Sequence, residues 1–243
     1  MHDHLLDWWH VRDRVPWATA THPAPGPSAR PAPAPPAHPA PGPPVDPARR
    51  PVSGRRDGIL DHVNTAEVAR CPDRAARLLD ALHQVHDAAA GPEPLHFALL
   101  ARWQAVVLGV PAVGFRTGTA YAKAGRERYG LGPTTRPRFA TCLTEATDPR
   151  LPLAARAARV YLDVAFVHPF PDGNARAALL CLAFVLHRDH ATIHPAAPAL
   201  TLVRRADDLP GTVDFVRLID LLMRPGRLRS ATELSAGLPP AEA

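Results

Sequence analysis

The sequence predicts a mainly α-helical domain with one small β-hairpin, preceded by a disordered segment rich in proline and alanine. Three observations support this fold class. Apolar residues recur at helical spacing in several stretches after residue 60, the densest run of prolines lies before residue 52, and a short glycine-bounded segment contains Phe, Thr and Tyr. At 243 residues, of which 46% are apolar and 21% charged, the chain is long enough for one globular domain with appendages.

Composition divides the chain into four predicted parts: a tryptophan-rich segment at 1–18, a Pro/Ala-rich linker at 19–52, the main domain at 53–229 and a tail at 230–243. Proline fixes φ and lacks an amide proton, so we expect the linker to be an extended spacer outside the core. The tryptophan-rich segment is too short to be a stable helix alone. We expect it to dock, on its own domain in preference to a partner.

Helical spacing of apolar residues predicts six helices in the main domain. They cover residues 61–70 (with Asn64 or Thr65 as cap), 73–89, 95–108, 152–168, 174–189 and 213–224. The segment GFRTGTAYAKAG, between the third and fourth of these helices, predicts the hairpin.

Several classes of protein are disfavoured by composition. The three cysteines are odd in number and far apart, which argues against a disulfide framework and suits a reducing compartment. Neither a transmembrane span nor a signal peptide is predicted, so we expect a cytoplasmic protein without a membrane partner. The net charge of +5 comes almost entirely from arginine, and no recognition motif accompanies it, so nucleic acid is not an expected partner.

The loop between the two most apolar predicted helices, HPFPDGNAR at 168–176, combines groups suited to phosphate chemistry. A helix N-terminus binds anions, and Gly173 lets the backbone approach a ligand closely. Arg176 adds a fixed charge, and Asp172 is the kind of oxygen ligand that Mg²⁺ takes alongside phosphates. His168 titrates near neutral pH and can accept a proton from a hydroxyl.

HPFPDGNAR resembles the HPFx(D/E)GN(G/K)R motif of the Fic/Doc family, in order and in its position between two helices. The resemblance extends more weakly over residues 60–225. It implies a Fic-type helical bundle in which the hairpin is the flap that aligns a target segment, with Phe115 and Arg116 as flap residues.

The resemblance also implies a function and a role for each loop residue. The family contains nucleotidyltransferases that use a nucleotide and Mg²⁺ to modify Ser, Thr or Tyr hydroxyls of a target protein. His168 would be the general base, Phe170 the core anchor of the loop, and Asp172 the Mg²⁺ ligand. Phosphate would be bound by the amides of Gly173, Asn174 and Ala175 and by the side chain of Arg176.

Two positions depart from the family motif. Ala175 replaces the usual glycine, or the lysine of phosphotransferase members, and therefore disfavours kinase-like chemistry. Leu179 replaces a second arginine that many adenylyltransferases carry, so ATP is the favoured donor but another nucleotide stays open. Arg116, Arg126 or Arg128 of the flap side are candidates to supply the missing charge.

Alternatives to nucleotidyl transfer are phosphoryl or phosphocholine transfer on the same loop, and a non-catalytic Fic module used for binding. The resemblance leaves room for an antitoxin or other regulatory partner, although no segment indicates one. The string Ser53–Gly58 resembles an inhibitory motif with Asp57 in place of glutamate, which we interpret as coincidence. His187, His190 and His194 are spaced like metal ligands, but we interpret them as surface histidines near a helix end.

Overall fold

The computed structural model describes residues 2–21 and 57–223. Over these residues the prediction of a mainly helical fold with one small antiparallel hairpin is confirmed. The predicted tail, and the linker beyond residue 21, lie outside the described residues. The helices are α1 His4–Arg14, α2 Gly58–His62, α3 Val68–Arg70, α4 Pro72–Ala90, α5 Phe97–Leu108, α6 Thr135–Glu145, α7 Leu153–Val167, α8 Asn174–Arg188, α9 Ala197–Thr201 and α10 Leu209–Leu222. A π-helical segment, Val63–Glu67, joins α2 to α3.

The centre of the fold is α8, which is apolar on all sides and therefore fully surrounded. Every residue from 177 to 186 is buried. α7 and α4 make its most extensive contacts, α5 also packs against it, and α10 packs on α7. The loop between α7 and α8 is consequently anchored at both ends by helices that cannot shift without disturbing the core.

The tryptophan-rich N-terminus docks on its own domain, as predicted, and forms α1. Asp3 caps this helix by accepting a hydrogen bond from the Leu5 amide at 3.1 Å. Trp8 is fully buried, and its Nε1 donates to Asp163 of α7 at 3.0 Å. Arg12 donates to the same carboxylate from Nε at 2.6 Å and from Nη2 at 3.1 Å. The segment is therefore part of the domain's core.

The first helix of the main domain differs from the prediction for residues 61–70. It begins at Gly58, because Asp57 and not Asn64 or Thr65 is its N-cap and accepts a hydrogen bond from the Ile59 amide at 2.8 Å. The chain leaves the helical conformation at Cys71, where the following proline disfavours it. Pro72 then occupies the first turn of α4, where no amide proton is required.

Two helices of the main domain, α6 and α9, were not predicted, and α10 also starts earlier than expected. α6 carries Pro137 in its first turn, and α9 is a single short turn with a proline near its start. α10 begins at Leu209 because Asp208 caps it, accepting a hydrogen bond from the Gly211 amide at 2.8 Å. Within the described residues, every helix is too short or too polar to cross a bilayer.

The hairpin consists of β1 Ala120–Ala122 and β2 Glu127–Tyr129. Its register pairs Ala120 with Tyr129 and Ala122 with Glu127. Phe115 and Arg116 precede the first strand and are not strand residues, a difference from the flap predicted for them. The hairpin stands over the loop between α7 and α8, where Tyr129 meets that loop directly.

Candidate functional site

The loop at 168–173 starts with a helix end in an unusual conformation. α7 stops at His168, whose φ of 50° and ψ of 59° are left-handed and whose amide still donates to the Val164 carbonyl at 3.2 Å. A non-glycine residue in this region costs about 1 kcal/mol or more, so surrounding contacts must hold it there.

Arg116 supplies those contacts. Its Nε donates to the His168 carbonyl at 2.8 Å, and its Nη2 donates to the carbonyls of Gly130 at 2.7 Å and Val167 at 3.3 Å. Its amide donates to the Pro169 carbonyl at 2.8 Å, and Nη1 donates to the Gly118 carbonyl. Burial lowers the pKa of Arg116. The side chain therefore fastens the loop to the hairpin and has few donors left for a ligand.

Phe170 and Asn174 fix the shape of the loop. Phe170 is fully buried and stacks on Phe97 with ring centroids 5.5 Å apart. Its amide donates to Asn174 Oδ1 and its carbonyl accepts from Asn174 Nδ2, both at 2.9 Å. Phe115 joins the same aromatic cluster, 5.4 Å from Phe97. Phe170 is thus the core anchor of the loop, and Phe115 supports it from the hairpin side.

His168 is held in an environment that keeps it neutral. Burial is the main cause that lowers the pKa of His168 to about 4; the charge of Arg116 adds to this effect, while the Ala165 backbone opposes it. The ring stacks on Tyr129, 4.3 Å away and 15° from parallel. Its Nδ1 is buried and makes no hydrogen bond of normal geometry within the described residues. At neutral pH His168 is therefore a proton acceptor with one exposed nitrogen available.

Tyr129, the partner of this stack, is itself kept neutral. Burial and a 2.8 Å hydrogen bond to Glu127 raise the pKa of Tyr129 well above its usual value. The stacked neighbour of His168 thus adds no charge to the site.

The start of α8 presents backbone amides to an anion. Gly173 is the N-cap and has φ of 72°, and a Cβ there would lie 2.5 Å from Gln104 Nε2 and 3.0 Å from Arg176 Nη2. Gln104 of α5 donates to the Asp172 carbonyl at 2.8 Å, which holds the turn close to the helix. Within the described residues, the amides of Asn174 and Ala175 donate no hydrogen bond. These free amides, at the positive end of the helix dipole, form an anion cradle.

Asp172 and Arg176 lie on either side of this cradle. The Asp172 side chain is 80% exposed; its Oδ1 accepts from the Gly173 amide at 2.6 Å, and its Oδ2 lies 3.8 Å from Arg176 Nη2. Arg176 also donates from Nη1 to the Val107 carbonyl at 3.3 Å. An exposed carboxylate beside free amides is a suitable ligand for Mg²⁺ bound together with a phosphate.

A cavity of about 940 Å³ brings these groups together. His168, Arg116 and all five residues from 172 to 176 line it, whereas Phe115 does not. Residues 117–123 of the hairpin form the opposite wall. Tyr161, Arg204 and Leu200 also line the cavity and were not predicted, because no local pattern marks them. The volume lies at the upper end of the range for small-molecule sites.

A cleft of about 440 Å³ adjoins this cavity and shares Ala175, Arg176, Tyr161 and Leu200 with it. Leu179, Arg70 and Arg74 line it. The flap arginines proposed to replace the missing cation are engaged elsewhere: Arg116 as described, Arg126 in a hydrogen bond from Nε to the Lys123 carbonyl at 3.0 Å, and Arg128 in an ion pair with Asp3 at 3.0 Å. The additional positive charge beside Arg176 comes from α3 and α4 instead.

The fold is a helical bundle, and the candidate site is the loop at the start of its central helix, where the amides of Asn174 and Ala175 are free within the described residues. Within the chain, residues 115–186 match the model of the Fic/DOC family. The resemblance predicted from the loop motif is thereby confirmed for this region.

One solved structure to which the chain is similar is that of a Fic domain containing signaling protein from Bacteroides thetaiotaomicron VPI-5482. It is 18% identical in sequence, with a TM-score of 0.48, over 76% of this chain and 87% of that chain. No curated protein matches the chain significantly. The resemblance to the Fic/DOC family therefore depends on the match over residues 115–186.

Proposed function

We propose that the protein is a Fic-type nucleotidyltransferase that transfers a nucleoside monophosphate, AMP from ATP, to a Ser, Thr or Tyr hydroxyl of a target protein. The observation that carries the proposal is the convergence of a neutral His168, the exposed Asp172 carboxylate and the free Asn174 and Ala175 amides on one cavity. Each group suits one requirement of in-line attack on a phosphate.

In the proposed reaction, the exposed nitrogen of His168 accepts the proton of the target hydroxyl as its oxygen attacks the α-phosphorus. The bond from the α-phosphorus to the bridging oxygen breaks, and diphosphate leaves. The amides at the start of α8 and the guanidinium of Arg176 donate to the phosphate oxygens as charge develops on them. Because burial keeps His168 neutral before the reaction, no prior deprotonation is needed.

Asp172 is the residue that would hold Mg²⁺, and its contacts fit this role. Its Oδ2 is engaged only by the 3.8 Å contact with Arg176 among the interactions of the described residues. Mg²⁺, when bound, would neutralise charge on the phosphates. Arg176 lies within reach of both the Asp172 carboxylate and the free amides of the cradle. Its guanidinium would therefore bind the diphosphate, whereas Asp172 would hold the metal.

The hairpin is the part of the cavity that would receive the target. Tyr121 is 58% exposed on β1, and the edge of this strand that faces away from β2 is open to an added strand among the described residues. An extended target segment that paired here would present a hydroxyl over the cavity, because residues 117–123, which include β1, line it together with His168.

The proposal is tested by incubating the full chain with Mg²⁺, a cell lysate and each nucleoside triphosphate labelled with ³²P at the α-position. ATP labelled at the γ-position serves as the parallel reaction. We expect a protein of the lysate to be labelled only by the α-labelled nucleotide. Transfer of label from the γ-position would indicate the phosphotransferase alternative. Mass spectrometry of the labelled protein then distinguishes AMP from other added groups, including phosphocholine.

Two variants test the assigned roles. His168→Ala is expected to lower label transfer by about 10²–10⁴-fold while the protein stays folded. His10→Ala, on the exposed side of α1, is the matched control and should transfer label normally. Asp172→Ala should remove the Mg²⁺ dependence of nucleotide binding in calorimetry. Unchanged transfer by His168→Ala, or intact Mg²⁺-dependent binding by Asp172→Ala, would contradict the corresponding role.

A further inference from the structure

A second group of polar side chains lies at the opposite end of α8 from the loop at 168–173. Asp57 caps α2, His86 lies on α4, and His187 lies in the last turn of α8. Their nearest nitrogen and oxygen atoms all lie within 4.8 Å of one another. His187 Nε2 is 2.8 Å from Asp57 Oδ2, and His86 Nε2 is 3.6 Å from the same oxygen. Three separate elements thus direct one donor atom each to a common point.

Within this cluster, the hydrogen bonds of the described residues leave one imidazole nitrogen, that of His86, without a partner. Asp57 Oδ1 accepts from the Ile59 amide at 2.8 Å, so Oδ2 is the oxygen that faces the two imidazoles. His187 makes a normal hydrogen bond to it, whereas His86 Nε2 is buried and has no hydrogen-bond partner within the described residues. A buried polar atom without a partner is destabilising. A cation shared by the three side chains would remove this cost.

We propose that Asp57, His86 and His187 bind a divalent transition-metal ion of the zinc type. Two imidazole nitrogens and one carboxylate oxygen are a ligand set that Zn²⁺ takes in proteins, with a fourth position left for water. In a tetrahedral site with bonds of about 2.0–2.1 Å, ligand atoms lie roughly 3.3 Å apart. The observed separations of 2.8 and 3.6 Å lie on either side of that value.

The two rings must turn slightly when they share an ion. At present they stack with centroids 3.7 Å apart and 22° from parallel, so their in-plane lone pairs run side by side. Rotation of the rings opens this stack and directs both lone pairs to one point beside Asp57. Metal binding is therefore expected to move the ring proton resonances of both histidines together.

The histidines that the sequence suggested as metal ligands are mostly not those of this site. Of His187, His190 and His194, only His187 belongs to the cluster. His190 is exposed, and His194 lies 3.5 Å from Asp61. His187 itself, interpreted from the sequence as a surface residue, is held between Asp57 and His86. The remaining ligands come from distant parts of the chain, so their spacing gave no signal.

An ion here would join three elements around the end of α8. It would link the start of α2 and the C-terminal part of α4 to the last turn of the central helix. This role is independent of the proposed transferase function, since none of the three residues lines the cavity of about 940 Å³.

The test uses the full chain without a polyhistidine tag, stripped with chelator and titrated with Zn²⁺ by calorimetry. Co²⁺ is titrated in parallel, with visible absorption as the readout. We expect saturable binding of about one ion per chain and a Co²⁺ spectrum of tetrahedral or five-coordinate type. His86→Gln and His187→Gln should each weaken Zn²⁺ binding at least tenfold. His83→Gln, exposed one turn earlier on α4, is the matched control and should bind as the wild type does.

Circular dichroism verifies that each variant folds. His86→Gln is the decisive variant, because His86 Nε2 makes no hydrogen bond that its replacement would remove. Zn²⁺ should raise the melting temperature of the wild type and of His83→Gln but not of His86→Gln. Absence of saturable binding to the wild type would overturn the proposal. Equal Zn²⁺ affinity of the wild type and His86→Gln would overturn it as well.

Discussion

The attachment of α1 to the main domain depends on a buried ion pair, and replacing Arg12 by Met tests how much it contributes. Asp163 is fully buried and accepts hydrogen bonds from Trp8 Nε1 and from two nitrogens of Arg12. Burial alone would lower the pKa of Arg12, but the charge and hydrogen bonds of Asp163 raise it above its usual value. Arg12→Met leaves the carboxylate buried without its cationic hydrogen-bond donor, although Trp8 Nε1 still donates to it, and also removes the 2.6 Å contact of Arg12 with Glu145.

Removing one member of a buried pair typically costs about 3–5 kcal/mol, because the other charge stays buried without compensation. The whole free energy of unfolding of a domain is about 5–15 kcal/mol, so the loss is a large part of it. For a chain of this size, each kcal/mol lowers the melting temperature by about 2–4 °C. Arg12→Met should therefore melt about 6–20 °C below the wild type.

Urea unfolding followed by circular dichroism measures the change in free energy directly. Arg14→Met is the matched control, since Arg14 lies on the exposed side of the same helix, and it should change stability by less than about 0.5 kcal/mol. The double variant Arg12→Met with Asp163→Leu should recover part of the loss, because neither charge is then buried alone, while Trp8 Nε1 loses its acceptor. Arg12→Met within about 1 kcal/mol of the wild type, or a double variant less stable than the single one, would refute the reasoning.

Two further predictions concern the proposed nucleotide site. His168 can serve as the proposed base only when neutral, and its pKa of about 4 means that this form is lost only as the pH falls through about 4. The kcat/KM of label transfer should accordingly stay flat from about pH 7.5 to about pH 5.5, and an inflection near the usual histidine pKa of about 6.5 would contradict the effect of burial. Gly173→Ala should weaken nucleotide binding in calorimetry about tenfold, because its Cβ would meet Gln104 Nε2 at 2.5 Å and its φ of 72° is strained for alanine. Gly114→Ala is the control, since nothing lies within 4 Å of a Cβ there; equal losses in the two variants would show that the cradle is not the cause.

The helices that carry the site were predictable because their patterns are local and long. α7 and α8 lie within a residue of the predicted bounds at each end, since both are rich in apolar residues and end at a proline-containing loop or a polar turn. The motif at 168–176 was recognisable for the same reason. All its members are adjacent in the sequence, and the structure brings them to one cavity.

Contacts between distant parts of the chain could not be predicted from the sequence, because no local pattern marks the residues that they join. Arg12 and Asp163 are 151 positions apart, and Asp57 and His187 are 130 apart. α6 was missed since Pro137 usually signals an interruption, yet in a first turn it costs no hydrogen bond. Arg116 was assigned to target alignment, whereas its guanidinium binds carbonyls of the chain itself, a role that sequence position alone does not distinguish.

The binding of backbone carbonyls by Arg116 affects how a mutational screen of this protein should be interpreted. Lysine at this position would keep the charge but lose the fork that reaches His168, Val167 and Gly130 together, so a conservative exchange should score as poorly as a drastic one. A selection that reports only cell survival or turnover would then rank position 116 beside position 168. Measuring the amount of folded protein alongside turnover would distinguish Arg116, which supports the loop, from His168, the proposed base.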